Sequence, residues 1–151
     1  MNKLKGILLT QGMHGMISQV EGLAKALDID FTHHTVELNN FWKMIPPKFT
    51  PISQMVYKKV NQSDFDMVIS CGRKSVIPSI HLKNSLKKKV ISIHIQDPKV
   101  NFNNFDFIVA PEHDSIKGLN VINTKGAIHY LTNDEIIKNK EIGNIKWIYS
   151  N

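Results

Sequence analysis

Residues 6–27 read Gly-Ile-Leu-Leu-Thr-Gln-Gly-Met-His-Gly-Met-Ile-Ser-Gln-Val-Glu-Gly-Leu-Ala-Lys-Ala-Leu, and the rest of the chain can be placed relative to them. The apolar run Ile7-Leu8-Leu9 meets a loop holding Gly12 and Gly15. From Met16 to Leu27 the apolar residues Ile17, Val20, Leu23, Ala24 and Leu27 recur at spacings of three and four, which makes one face of a helix. Strand, glycine loop and helix follow one another. In such a unit the free backbone N–H groups of the loop and the positive end of the helix dipole offer a site to an anion or a polar ligand.

Five more strands are expected. Phe31 to Leu38 is rich in β-branched residues, and Asp66 to Ser70 carries Met67-Val68-Ile69. Lys89 to Ile95 is stopped by Gln96-Asp97-Pro98, Asp106 to Ala110 by Pro111, and Leu119 to Asn123 forms the last. Helices are expected at Ile52 to Asn61, at Arg73 to Leu86 and at Thr132 to Lys140. Pro78 fits the second of these if the helix starts near Ser75, because proline is tolerated in a first turn. Asn39 to Pro51, with Pro46, Pro47 and Pro51, cannot be a continuous helix. Apolar strands alternating with helices indicate an α/β chain, a Rossmann-like and mostly parallel sheet with helices on both faces. In such a sheet ligands bind outside the carboxyl ends of the strands. The loops after strands one, three, four, five and six should therefore share one edge.

At 151 residues the chain has room for one domain with a proper core, residues 1–151. No apolar run is long enough to span a bilayer, and the segment after Met-Asn-Lys-Leu-Lys is too short for a signal peptide. A single cysteine, Cys71, excludes an internal disulfide framework and fits a reducing, cytoplasmic setting. The net charge of +6 and pI near 9.4 come mostly from scattered lysines. No nucleic-acid module and no aromatic-interleaved basic stripe accompanies them, so no nucleic-acid partner is expected.

The loops at the expected ligand edge carry the unusual residues. In Ser70-Cys71-Gly72-Arg73-Lys74-Ser75, two cations stand beside a helix N-terminus, where the dipole disfavours them. Either they point into water, or Arg73 supplies a planar fork and the helix N–H groups complete an anion site. Gln96-Asp97 leaves an amide and a carboxylate at a strand end. Asp97 either orients a substrate hydroxyl, acts as a general base if its pKa is raised, or merely makes a turn. His113-Asp114 resembles a metal-ligand pair, but no third ligand stands at a definable spacing, so no metal is expected. His33, His34, His81 and His129 read as surface or boundary residues. Cys71 is a nucleophile with its pKa lowered by the helix, or a small buried hydrophobe. The Gly12 to Gly22 segment lacks Gly-x-Gly-x-x-Gly, although Glu37 stands where a ribose-binding acid would lie; there is no Gly-Lys-Ser/Thr either. Gly12, His14, Gly15, Ser18, Gly72, Arg73, Lys74, Ser75, Gln96 and Asp97 form the candidate ligand set, with Asp97 and His113 as catalytic candidates and no bound cofactor.

The order of these motifs carries a resemblance. Gly12-x-x-Gly15-Met16-x-Ser18-Gln19 leads to Gly22-Leu23-Ala24-x-Ala26-Leu27, then to Cys71-Gly72-Arg73-Lys74-Ser75 and Ile95-Gln96-Asp97-Pro98. Phe105-Asp106-x-x-Val109-Ala110-Pro111-x-His113-Asp114, Asn120-Val121 and Gly126-Ala127 follow. Together they resemble the mitochondrial fission proteins named for elongated mitochondria in plants, a family with uncharacterised bacterial relatives. The resemblance covers nearly the whole chain. It implies the fold of a B-type glycosyltransferase, of which this chain would be the N-terminal, acceptor-side half, inactive alone.

The family continues into a second Rossmann-like domain, so the expectation is that the C-terminal half is absent and the chain truncated. A nucleotide sugar or a phosphorylated acceptor would then bind together with that missing domain. Two other readings stay open: a non-catalytic binding or scaffold protein, and a nucleoside-diphosphate-sugar epimerase, against which the missing glycine fingerprint argues.

Overall fold

A computed structural model describes residues 2–126. Six strands, β1 (Lys5–Thr10), β2 (Asp30–Thr35), β3 (Met67–Cys71), β4 (Ile91–Ile95), β5 (Phe107–Pro111) and β6 (Val121–Thr124), form one sheet in the order β2-β1-β3-β4-β5-β6. Every pairing is parallel. Helix α1 (His14–Ala26) links β1 to β2, and α2 (Val76–Ser85) links β3 to β4. The chain is Rossmann-like α/β.

Side-chain alternation along the strands builds two cores. Leu8 of β1 and Met67, Ile69 and Cys71 of β3 face α1, where Val20, Leu23 and Ala24 cover them. Ile7 and Leu9 of β1 and Val68 of β3 face the other way, onto Val76, Ile77 and Ile80 of α2. Strands buried on both faces need no polar alternation, which is why they read as continuous apolar runs. The exceptions are paired. Ser70 and His94 sit opposite each other in the β3–β4 register, and Ser70 Oγ and His94 Nδ1 share a hydrogen bond of 2.8 Å in the α2-side core.

Three segments differ from the sequence expectation. Helix α1 begins at His14, two residues before the expected Met16, with Met13 as an N-cap that offers no side-chain bond. Strand β2 stops at Thr35, and the chain runs on to Leu38, which pairs antiparallel with Tyr57. The short helix expected at Ile52 to Asn61 is absent: a single 3-10 turn, Gln54–Val56, is all that forms there. Tyr57 is held in extended backbone by Leu38, and its hydroxyl shares a 2.8 Å hydrogen bond with His81 Nδ1 on α2. A helix through Tyr57 would break both contacts.

Residues 39–56 instead form a strap of three 3-10 turns, at Asn40–Met44, Pro47–Phe49 and Gln54–Val56. Its neck is closed by the Asn39 N–H to the Val56 carbonyl at 2.9 Å and by the Lys58 N–H to the Glu37 carbonyl at 2.9 Å. Trp42 anchors it by packing on the α2-side core. Prolines set the three turns apart, because each removes a donor and fixes its own φ.

The α2 helix starts after a 3-10 turn at Arg73–Ser75, so Pro78 falls in its first turn as expected. No helix among the described residues is long and apolar enough to cross a membrane. The helix expected at Thr132 to Lys140, and His129, lie outside the described residues.

Candidate functional site

Because β2 lies on one side of β1 and β3 on the other, the connections leaving β1 and β3 diverge to opposite faces of the sheet. A crevice opens where they part, at the carboxyl ends of these two strands. Gln11 and Gly12 form one lip, Gly72 and Arg73 the other. Gln11 spans the gap: its Oε1 accepts the Lys74 N–H at 2.9 Å.

Gly72 makes that closure possible. Its φ of +96° suits glycine, and a Cβ there would stand 2.8 Å from Met16 Sδ and 3.2 Å from Gln11 Cδ. Gly12 also has positive φ, +88°, and its N–H donates to Thr10 Oγ1 at 3.1 Å. The two glycines fold the lips of the crevice sharply enough for β1 and β3 to end side by side.

With the crevice bridged, open volume remains on either side. Under the strap, on the α2 side, lies a cavity of about 200 Å³. Lys43 of the strap and Arg73 and Lys74 before α2 reach it, beside Gln11 and Thr50. Its remaining wall is apolar: Leu38, Ile45, Pro47, Val56 and Ile77. No carboxylate lines it. Among the described residues none of the three cations is in a close ion pair; the Lys43 ammonium donates to Asn40 Oδ1 at 3.0 Å, and its charge adds to that of Lys58 in lowering the Glu37 pKa.

A wider cleft of about 540 Å³ lies on the α1 side, beyond β4 and β5. Gln19, Gln96, Asp97, Lys99, His113 and Asp114 line it with Pro111. Gln19, buried in α1, donates from Nε2 to the Gly15 carbonyl at 3.2 Å. Gln96 and Lys99 both adopt positive φ, +83° and +57°, so the chain turns sharply around Asp97.

The Lys99 ammonium lies 2.6 Å from Asp97 Oδ2, and the Lys99 N–H donates to Oδ1 at 2.9 Å. Partial burial raises the Asp97 pKa, but these bonds outweigh it and hold the carboxyl below its usual range. The condition for Asp97 as a general base, a raised pKa, is not met. His113 is exposed, with Nε2 3.5 Å from Asp114 Oδ1. No group of three or more ligand-type side chains that could hold a metal occurs among the described residues.

The candidate ligand set is thus divided between two places. Arg73 and Lys74 line the cavity under the strap; Gln96, Asp97 and His113 line the wide cleft. Gly12, His14 and Gly15 are exposed around the start of α1, while Ser18 is buried against the sheet side of that helix. Ser75 is buried too, its hydroxyl within 2.9 and 2.8 Å of the Cys71 and Gly72 carbonyl oxygens, where it fixes the turn. Cys71 is fully buried, and desolvation pushes its thiol up to about 12. The nucleophile reading of Cys71 fails, because burial overrides the helix dipole that would have lowered the pKa. Glu37 is taken up by Lys58, whose ammonium is 2.7 Å away.

Sequence reasoning missed Gln11, Lys43, Gln19 and Lys99, and weighed Asp114 only as half of a metal-ligand pair. Gln11 adjoins the glycine loop and could have been found there; Lys43 carried no signal, since only the closure of the strap brings it to Arg73.

Among known protein families, the model described as mitochondrial fission ELM1 matches residues 14–144. No curated protein and no solved structure matches the chain.

Proposed function

The chain belongs to the mitochondrial fission ELM1 family, and on that premise we propose that it is the acceptor-side half of a B-type glycosyltransferase-like protein that binds a phosphorylated ligand under its strap. One observation carries this reading. Lys43, Arg73 and Lys74 reach one cavity at the sheet's switch point, and no carboxylate lines it.

A phosphoryl group there would take two parallel hydrogen bonds from the Arg73 guanidinium and point-charge contacts from the two lysines. The apolar wall of Leu38, Ile45, Pro47, Val56 and Ile77 would meet an uncharged portion of the ligand. In the wider cleft, the amides of Gln19 and Gln96 and the carboxylates of Asp97 and Asp114 are suited to hydroxyl groups. Asp97, held ionised by Lys99, orients a hydroxyl as an acceptor of its hydrogen bond. Transfer would need a donor-binding second domain, so this half alone is expected to lack transfer activity.

The second reading is a non-catalytic binding protein. It is favoured by the state of two reactive groups: Cys71 is sealed and protonated, and Asp97 is tied to Lys99. Epimerisation remains the least favoured, because the loop after β1 lacks the dinucleotide fingerprint.

A thermal-shift series with inorganic pyrophosphate, UDP, UDP-sugars and NAD separates these readings. Pyrophosphate and UDP compounds are expected to raise Tm by about 5–10 °C at about a hundredfold excess over Kd. UDP-sugars that outperform UDP favour the transferase-like reading, and equal shifts favour simple anion binding. No shift with any phosphate compound overturns the phosphate-binding reading and leaves the scaffold reading standing.

A further inference from the structure

We propose that the strap, residues 39–56, docks this protein on an anionic lipid bilayer. The apolar surface of the molecule is concentrated there. Of the seven large hydrophobic side chains exposed among the described residues, five lie on the strap: Phe41 (68% exposed), Met44 (82%), Phe49 (70%), Ile52 (45%) and Met55 (61%). A sixth, Met13 (59%), is in the loop after β1, the loop whose Gln11 lines the same cavity as the strap's Lys43.

These side chains stand on a built platform. The neck bonds, the 2.6 Å hydrogen bond from Asn39 Nδ2 to the Met55 carbonyl and the Trp42 anchor hold the turns in place. Phe41 packs edge-on against Trp42, with ring centroids 4.8 Å apart. The exposed apolar tips are therefore presented by the fold.

The charge of the segment selects the partner. From Leu38 to Ser63 the chain has no aspartate or glutamate and four lysines, Lys43, Lys48, Lys58 and Lys59. Lys58 is paired with Glu37, whereas Lys48 lies over the Phe49 ring at 5.5 Å, its charge beside an exposed aromatic. Aromatic and methionine tips among lysines suit an interface in which apolar groups enter the acyl boundary and ammonium groups meet anionic headgroups.

A second copy of the chain is a poor occupant. A two-fold contact through this surface would bring together two copies of a segment that carries lysines and no carboxylate. A folded protein partner would have to seat each tip in a pocket of its own. A bilayer takes tips presented singly on separate turns.

Cosedimentation of the full chain with vesicles of pure phosphatidylcholine, and of an equal mixture with phosphatidylglycerol, tests the proposal. Binding to the mixed vesicles is expected to be at least about tenfold tighter and to weaken with salt. The triple variant Phe41→Ser, Met44→Ser, Phe49→Ser is expected to lose about tenfold. Lys87→Gln with Lys89→Gln, at the opposite edge of the sheet, should bind as the parent does.

A second probe covers any loss of folding in the triple variant. Met44→Cys carrying an environment-sensitive dye, with Cys71 buried and unreactive, should shift its emission to the blue on mixed vesicles, and Lys87→Cys should not. The proposal is overturned by equal binding to both lipids, by undiminished binding of the triple variant, by an unmoved dye at position 44, or by a dimer in solution that the triple variant dissolves.

Discussion

Gly72 is the residue on which the crevice turns. An alanine there must hold φ near +96° and push against Met16, whose side chain already fills the space beside the missing Cβ. Gly72→Ala is expected to lower stability by about 1–3 kcal/mol in urea denaturation, from backbone strain together with the displaced Met16. An unchanged midpoint would mean that the lip of the crevice yields freely.

His94 gives the fold an acid limit. Burial lowers its pKa from 6.5 to about 3 against the opposing charge of Asp97, and the ring shares its Nδ1 hydrogen bond with Ser70. The unfolded chain takes up a proton below pH 6.5 that the folded chain refuses, so stability is complete above that pH and falls as the solution is acidified. The loss should approach about 1.4 kcal/mol per pH unit below pH 6.5. His33 and His81, both lowered chiefly by burial, act with the same sign. Denaturation midpoints at a series of pH values, for the parent and for His94→Gln, should show a shallower acid slope in the variant. Equal slopes would place the titration elsewhere.

At the scale of elements, a carboxylate of the sequence motifs serves assembly. Asp106, just ahead of β5, accepts the Ser92 N–H at 2.9 Å on its Oδ2 and lies 3.0 Å from the Lys83 ammonium of α2. It ties two strands to a helix. Asp106→Ala is expected to cost about 1–3 kcal/mol in the same urea assay, the range for a partly buried charge-assisted bond lost with its partners left behind.

The strap depends in a comparable way on Trp42. Trp42→Ala should leave the sheet folded but release the strap, so that trypsin cuts at Lys43 and Lys48 well before the rest of the chain. Cleavage spread evenly over the molecule would mean that the strap and sheet unfold together.

The strap is also where reading the sequence stops short. Strand, glycine loop and first helix were legible, because Leu8, Val20 and Leu23 keep the periods of a buried strand and an amphipathic helix. The prolines told that residues 39–51 could not be one helix, yet proline says where a chain cannot go, not what it will cover. The short helix expected at Ile52 to Asn61 failed for the same reason: Tyr57 is claimed by Leu38 and His81, both distant in sequence.

For the whole molecule, the parallel sheet and its ligand edge were legible from the order of the elements. The division of the edge into two clefts was not. Arg73 and Lys74 are legible because two cations before a helix oppose its dipole, and both line one cavity. Their third companion, Lys43, reaches them only through the antiparallel closure of Leu38 on Tyr57, a tertiary contact without a local signature. Gln96, Asp97 and His113 also meet, but in the other cleft and around a carboxylate already held by Lys99. A candidate set that read as one site is a basic cavity and a polar cleft flanking a bridged crevice.

The proposed anion site is the cavity under the strap. Amide chemical-shift mapping of the full chain titrated with inorganic pyrophosphate tests it most directly. Saturable shifts are expected at Gln11, Lys43 and the amides from Gly72 to Ile77, abolished by Arg73→Ala together with Lys74→Ala. Shifts confined to Lys87, Lys88 and Lys89, or a response of the double variant equal to that of the parent, would contradict it.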